Sequence, residues 1–135
     1  MWISTALIDP AGIFSIKLNA MFLKLNHQKL EVYKASLDYV TECYRLCGYL
    51  PQEERFGIIS QIKRAALSVH LNIAEGASRK SEAERKRYFE ISRGSMVEID
   101  AAFDIAVRLN FIKNCDITLF EEKTIYCFKL LCGLV

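Results

Sequence analysis

Proline and glycine are scarce in this chain: two prolines, both before residue 52, and six glycines in 135 residues. The turn-dense punctuation of a β-sandwich or barrel is therefore missing. No C-x-x-C pair occurs. The five cysteines, at 43, 47, 115, 127 and 132, form an odd set, in a chain whose apolar content can build its own core. That pattern points to reduced thiols and a cytoplasmic setting rather than a disulfide framework. Excess charge of one sign is also lacking. Eighteen Lys and Arg stand against sixteen Asp and Glu, for a net +2 and a pI near 8.3, which by itself is no nucleic-acid footprint.

Sequence patterns that carry catalysis are missing as well. Di-metal carboxylate bundles need Glu-x-x-His on their helices, but Lys24 precedes His27 by three and Leu67 precedes His70 by three. Cys43 and Cys47, one turn apart, offer half a zinc site with no second pair to complete it. No G-x-G-x-x-G occurs, and no glycine precedes Lys-Ser or Lys-Thr, so no loop is built to cradle phosphate. A lone His70 within helix 2 reads as a packed or surface histidine rather than a general base, which would need a visible nucleophile and orienter. The expectation is a non-enzyme with no metal and no cofactor.

What is present is helical. Apolar residues make up 52% and charged residues 25%, ordinary for one globular domain of this length. Residues 1–25 are apolar, yet they carry no basic n-region and Asp9, Pro10 and Gly12 interrupt the run. They read as a poorly ordered or added tail, upstream of an alternative start at Met21, and no membrane partner is expected. An interfacial anchor would have only Lys17 and Lys24 for basic charge.

From residue 26 onward apolar side chains recur at alternating steps of three and four, the period of a packed helix. Helix 1 is expected over about 27–47, with Asn26 as N-cap, Leu25 and Leu30 as a hydrophobic staple, Gly48 as a left-handed stop, and a seam of Leu30, Tyr33, Leu37, Val40, Tyr44 and Cys47. Helix 2 is expected from Pro51, with Glu53 and Glu54 in its first turn, a seam of Ile59, Ile62, Ala66, Val69 and Ile73, and Gly76 as its stop. Ser81 with Glu84 opens helix 3 as a capping box, followed by Phe89, Ser92, Met96, Ile99, Phe103 and Ala106 to about Leu109. Thr118 with Glu121 repeats the box for helix 4, whose seam is Phe120, Cys127, Leu131 and Leu134. Short connections force antiparallel neighbours, so the fold expected for 26–135 is an all-α, up-and-down antiparallel four-helix bundle.

Two polar features stand out. Ser68, Asn72 and Glu75 on helix 2, and Arg93, Ser95 and Glu98 on helix 3, lie in or beside the seams. Buried polar groups must pair, so these six read as a structural network between neighbouring helices. Arg79, Lys80, Arg85, Lys86 and Arg87 cluster at the turn into helix 3 and are the candidate nucleic-acid-binding residues. Glu82 and Glu90 at helical steps also permit a salt-bridged solvated face.

The stretch 50–109 resembles the four-helix-bundle proteins encoded within intervening sequences of bacterial 23S rRNA genes. Leu50-Pro51 with Glu54-Arg55-Phe56 resembles the opening of that family's helix 2, Gln61 with Arg64-Ala65 its middle, and Asn72-Ile73-Ala74-Glu75-Gly76 its end. Phe89, Arg93-Gly94-Ser95 and Glu98 match its helix 3, and His27 to Ala35 its start, whereas His70 and Lys63 depart from the pattern. The resemblance implies a ring-shaped homopentamer without known catalysis, associated with RNA or other nucleic acid. It is also similar in fold to accessory subunits of the reverse transcriptases of diversity-generating retroelements, which makes a polymerase or another protein the alternative partner. Aromatic residues outside the seams (Tyr39, Phe56, Tyr88) would be exposed on a monomer, which fits assembly.

Overall fold

The computed structural model describes residues 30–113 and 115–135, together with the backbone of a two-residue antiparallel pairing between β1 (Leu7–Ile8) and β2 (Phe14–Ser15). The remainder of 1–29, including the Asn26 cap and the Leu25 side of the staple, lies outside the described residues. Four helices make up the rest: α1 (Glu31–Cys47), α2 (Ile58–Ser78), α3 (Glu82–Arg108) and α4 (Thr118–Cys132). Each packs on its neighbours in sequence, and α4 returns to α1. Cross-helix contacts give the directions. Val69 meets Ser92 and Ser68 meets Ser95; Ser36 meets His70 and Tyr44 meets Lys63; Asp38 meets Lys123 and Arg45 meets Asp116. One number rises as the other falls in every pair, so all neighbours are antiparallel and the expected bundle is what forms.

The core joins Tyr39, Leu46, Ile62, Val69, Ile73, Ile99, Cys127 and Leu131, all fully or almost fully buried. The expected seam of α3 is the observed one at all six positions, and four of five positions of the α2 seam are buried, with Ile59 partly so. Of the expected α1 seam, Tyr33 and Cys47 are buried and Val40 partly so, while Leu30, Leu37 and Tyr44 are exposed. The rest of the buried face is Val32, Ala35, Ser36, Tyr39, Glu42, Cys43 and Leu46. Both stripes obey the helical period, and the true one contains Ser36 and Glu42, whose polarity masked it. Tyr39, expected on the surface, is therefore a core residue.

Helix ends differ from expectation in instructive ways. Gly48 is right-handed (φ −64°, ψ −19°). Pro51 precedes a 3-10 turn, Gln52–Glu54, and α2 starts only after Gly57, at φ −104° and ψ −114°, breaks the chain. From that turn the Glu54 carboxylate accepts the Ile58 N–H at 3.2 Å, capping α2 from outside. Ser81 does cap α3, its Oγ accepting the Glu84 N–H at 3.0 Å. At the other end of α3, Asn110 adopts a left-handed φ of 59°. Its N–H donates to Val107 O at 3.0 Å and that of Phe111 to Ala106 O at 2.9 Å, the two bonds of a Schellman stop. Thr118 is the first residue of α4 rather than its cap; Asp116 Oδ1 accepts the Thr118 N–H at 2.9 Å, and that bond holds the Asp116 carboxyl below its usual range.

Three core thiols set a pH limit. Burial pushes Cys43 and Cys127 up to about 12 and Cys47 up to about 11, from 9.0. A group whose folded pKa is raised contributes its full stability below the unfolded value and loses it as pH climbs toward the folded one. The urea midpoint should thus hold to pH 9 and fall steadily between pH 9 and 12; a flat midpoint across that window would show the thiols to be solvated. In the native state Cys132, the exposed thiol, should react first with a thiol reagent.

Candidate nucleic-acid interface

The turn between α2 and α3 is only three residues long, Arg79 to Ser81, and it gathers the basic cluster at one end of the bundle. Close packing of the two helices makes the tight turn possible. Gly76, expected as a left-handed stop, instead lies inside α2 and is buried. A Cβ there would stand 2.9 Å from Tyr88 Cβ, 3.0 Å from Phe89 Cε1 and 3.2 Å from the Arg85 carbonyl oxygen. Its lack of a side chain lets α3 approach.

The five basic side chains are not equivalent. Arg79 pairs with Glu75 one turn back, donates to Tyr88 Oη at 3.1 Å, and places its guanidinium 5.1 Å from the Tyr88 ring centre. Arg85 turns inward: its Nη1 donates to Arg79 O at 3.1 Å and Lys80 O at 2.7 Å, supplying the carbonyls that follow α2 with a cation where the helix dipole favours one. These two arginines build the turn. Lys86 is half-shared, with Nζ 3.5 Å from Glu82 Oε1 on the exposed surface, a pair of little energetic consequence. Lys80 and Arg87 are exposed and form no ion pair among the described residues. Three cations are thus presented to solvent, with Arg85 and Lys86 also walling a cavity of about 400 Å³ against Gly133, Leu134 and Val135.

Of the six expected network residues, the structure brings together three. Ser68 Oγ and Ser95 Oγ lie 2.8 Å apart, and Asn72 Nδ2 donates to Ser68 O at 2.8 Å and to Ser68 Oγ at 3.0 Å. Glu75 serves the turn instead. Arg93 is half-buried and Glu98 exposed, and neither joins the network among the described residues. Three partnerships escaped the sequence reading. Ser92 Oγ donates to Val69 O at 2.7 Å, clamping α3 to α2. Ser36 Oγ donates to Tyr33 O at 2.8 Å and shares a hydrogen bond with His70 Nδ1 at 2.7 Å, tying α1 to α2. Glu42, only 7% exposed, holds Arg45 at 2.7 Å, and Arg45 reaches Asp116 O at 3.1 Å, tying α1 to the start of α4. The signal for the last two was in the sequence: Ser36 stands three residues before Tyr39, and Glu42 three after Tyr39 and four before Leu46.

Among the described residues, no group of three His, Cys, Asp or Glu is placed to hold a metal ion, and no helix is long and apolar enough to cross a membrane. No curated protein matches the chain. The family model described as 23S rRNA-intervening sequence protein matches residues 28–133, which takes in all four helices. With that coverage joined to the four-helix architecture, the chain belongs to the 23S rRNA-intervening sequence protein family.

Proposed function

We propose that the protein works without catalysis, as a ring of identical copies, five in number, that holds structured RNA on the rim formed by its α2–α3 turns. The observation that carries this reading is the presentation of Lys80, Lys86 and Arg87 at one end of the bundle, on and just after a turn whose own structure consumes only Arg79 and Arg85. A net +2 per chain would become +10 in a ring of five, and the three solvent-facing cations of each copy would join into a belt. Assembly is supported by the apolar surface left uncovered: Phe56 is 84% exposed, and Leu30, Leu37, Tyr44, Leu67 and Leu71 are exposed along α1 and α2.

Phosphate contacts by Lys and Arg release counterions, so affinity should fall linearly with salt on a log–log scale. Fluorescence anisotropy of a labelled structured RNA, titrated with the protein at several salt concentrations, is expected to give a slope of several units. Absence of binding even at low salt would remove RNA and leave a scaffold that contacts only protein.

A further inference from the structure

Helix α2 carries apolar residues on its outer side as well as its inner one. Its inner side builds the core through Ile62, Ala65, Ala66, Val69 and Ile73, and its outer side carries Leu67 and Leu71, the latter 59% exposed. Exposed leucines grouped on one helix face mark a surface that a partner covers. Between 58 and 74 it holds no acidic residue; its charges there are Lys63 and Arg64. Arg64, Leu67 and Leu71 follow at steps of three and four, so they stand on one outer ridge, flanked by Lys63, whose Nζ lies 5.1 Å from the Tyr44 ring centre.

A matching groove lies elsewhere on the same molecule. Helices α3 and α4 pack together less extensively than any other neighbours in the bundle, and between them opens a cavity of about 230 Å³ lined by Met96, Val97, Asp100, Thr124, Ile125 and Phe128. Val97 is 56% and Ile125 55% exposed. Here the charge is of the opposite sign. From 97 to 107 α3 carries Glu98, Asp100 and Asp104 and no base, and the one lysine in the first turns of α4, Lys123, is already taken by Asp38 at 3.5 Å.

Resting on the reading that the protein self-assembles, we propose that the α2 ridge of one copy seats in the α3–α4 groove of the next, with Lys63 and Arg64 facing Asp100 and Asp104. Ridge against ridge would oppose cation to cation and groove against groove anion to anion, so the contact is head-to-tail. Such a heterologous contact uses two different patches of each copy and closes a ring when its rotation permits. Opposite charges across it would also suppress the two like-with-like alternatives.

Light scattering on the full chain tests the pairing, with far-UV circular dichroism as the control for folding. Lys63→Glu with Arg64→Glu should raise the dissociation constant of the assembly at least tenfold and shift the mass toward the 15.5 kDa protomer. Adding Asp100→Lys and Asp104→Lys to the same chain should restore the parent mass. If the parent assembles and the first variant keeps its mass, or the fourfold swap fails to recover it while remaining helical, this pairing of faces is wrong. A parent protein of 15.5 kDa would instead overturn self-assembly itself.

Discussion

Alanine at Gly76 and alanine at Gly94 are expected to change stability in opposite directions, although both glycines sit inside long helices. In an open helix the exchange favours alanine by about 1 kcal/mol, because glycine leaves more backbone entropy to lose. Gly94, on the exposed side of α3, has nothing within 4 Å of where its Cβ would stand, so Gly94→Ala should stabilise by about that amount. At Gly76 the new methyl meets Tyr88 Cβ at 2.9 Å and the Arg85 carbonyl oxygen at 3.2 Å. Neither is the free end of a side chain; both move only if α3 moves. Overpacking of this kind costs about 1–3 kcal/mol and more where backbone must shift, so Gly76→Ala should lose about 2 kcal/mol net. Urea unfolding followed by circular dichroism reads both. A stabilised Gly76→Ala would mean that α2 and α3 separate easily, and a destabilised Gly94→Ala would place a second copy against that face.

Replacing Lys80, Lys86 and Arg87 together by glutamate should abolish RNA affinity while leaving the fold intact. Each phosphate contact removed lowers the log–log salt slope by about one, so the slope should drop by about three per engaged protomer, and affinity at moderate salt by at least about a hundredfold. All three side chains are exposed and make at most one weak surface pair, so the urea midpoint should stay within about 0.5 kcal/mol of the parent in stability. Arg85 must be left in place, because Arg85→Glu would strip the carbonyls of Arg79 and Lys80 of their donor and damage the turn whatever the RNA does. RNA binding that survives the triple reversal with an unchanged slope would move the interface elsewhere on the bundle.

The two glycines and the five basic residues mark where linear reading stops. Gly76 follows an apolar seam as a terminal glycine would, and nothing in the sequence reports that α3 packs so close that a Cβ there would stand 2.9 Å from Tyr88 Cβ. The basic cluster was visible as a run, but the division between Arg79 and Arg85, which build the turn, and Lys80, Lys86 and Arg87, which face water, depends on which carbonyls and carboxylates lie within reach. The six-residue polar network divided in the same way: Ser68, Asn72 and Ser95 meet, whereas Glu75 is drawn to Arg79.

Periodicity by itself determined the helix number, the α3 seam in full, most of the α2 seam and the Ser81 cap, because those signals are local: a 3.6-residue repeat and a side chain reaching its own first turn need no partner. Register between helices was not available to it. In α1 two stripes share the period, Leu30-Leu37-Tyr44 and Val32-Tyr39-Leu46, and the inner one has Ser36 and Glu42 beside it on the buried face. Only packing selected the inner stripe, by giving Ser36 a partner in His70 and Glu42 a partner in Arg45, so that polarity which argues against burial in a lone helix costs nothing in the bundle. Tertiary structure decided which face of each helix is core and which charges remain free, because both depend on neighbours distant in sequence.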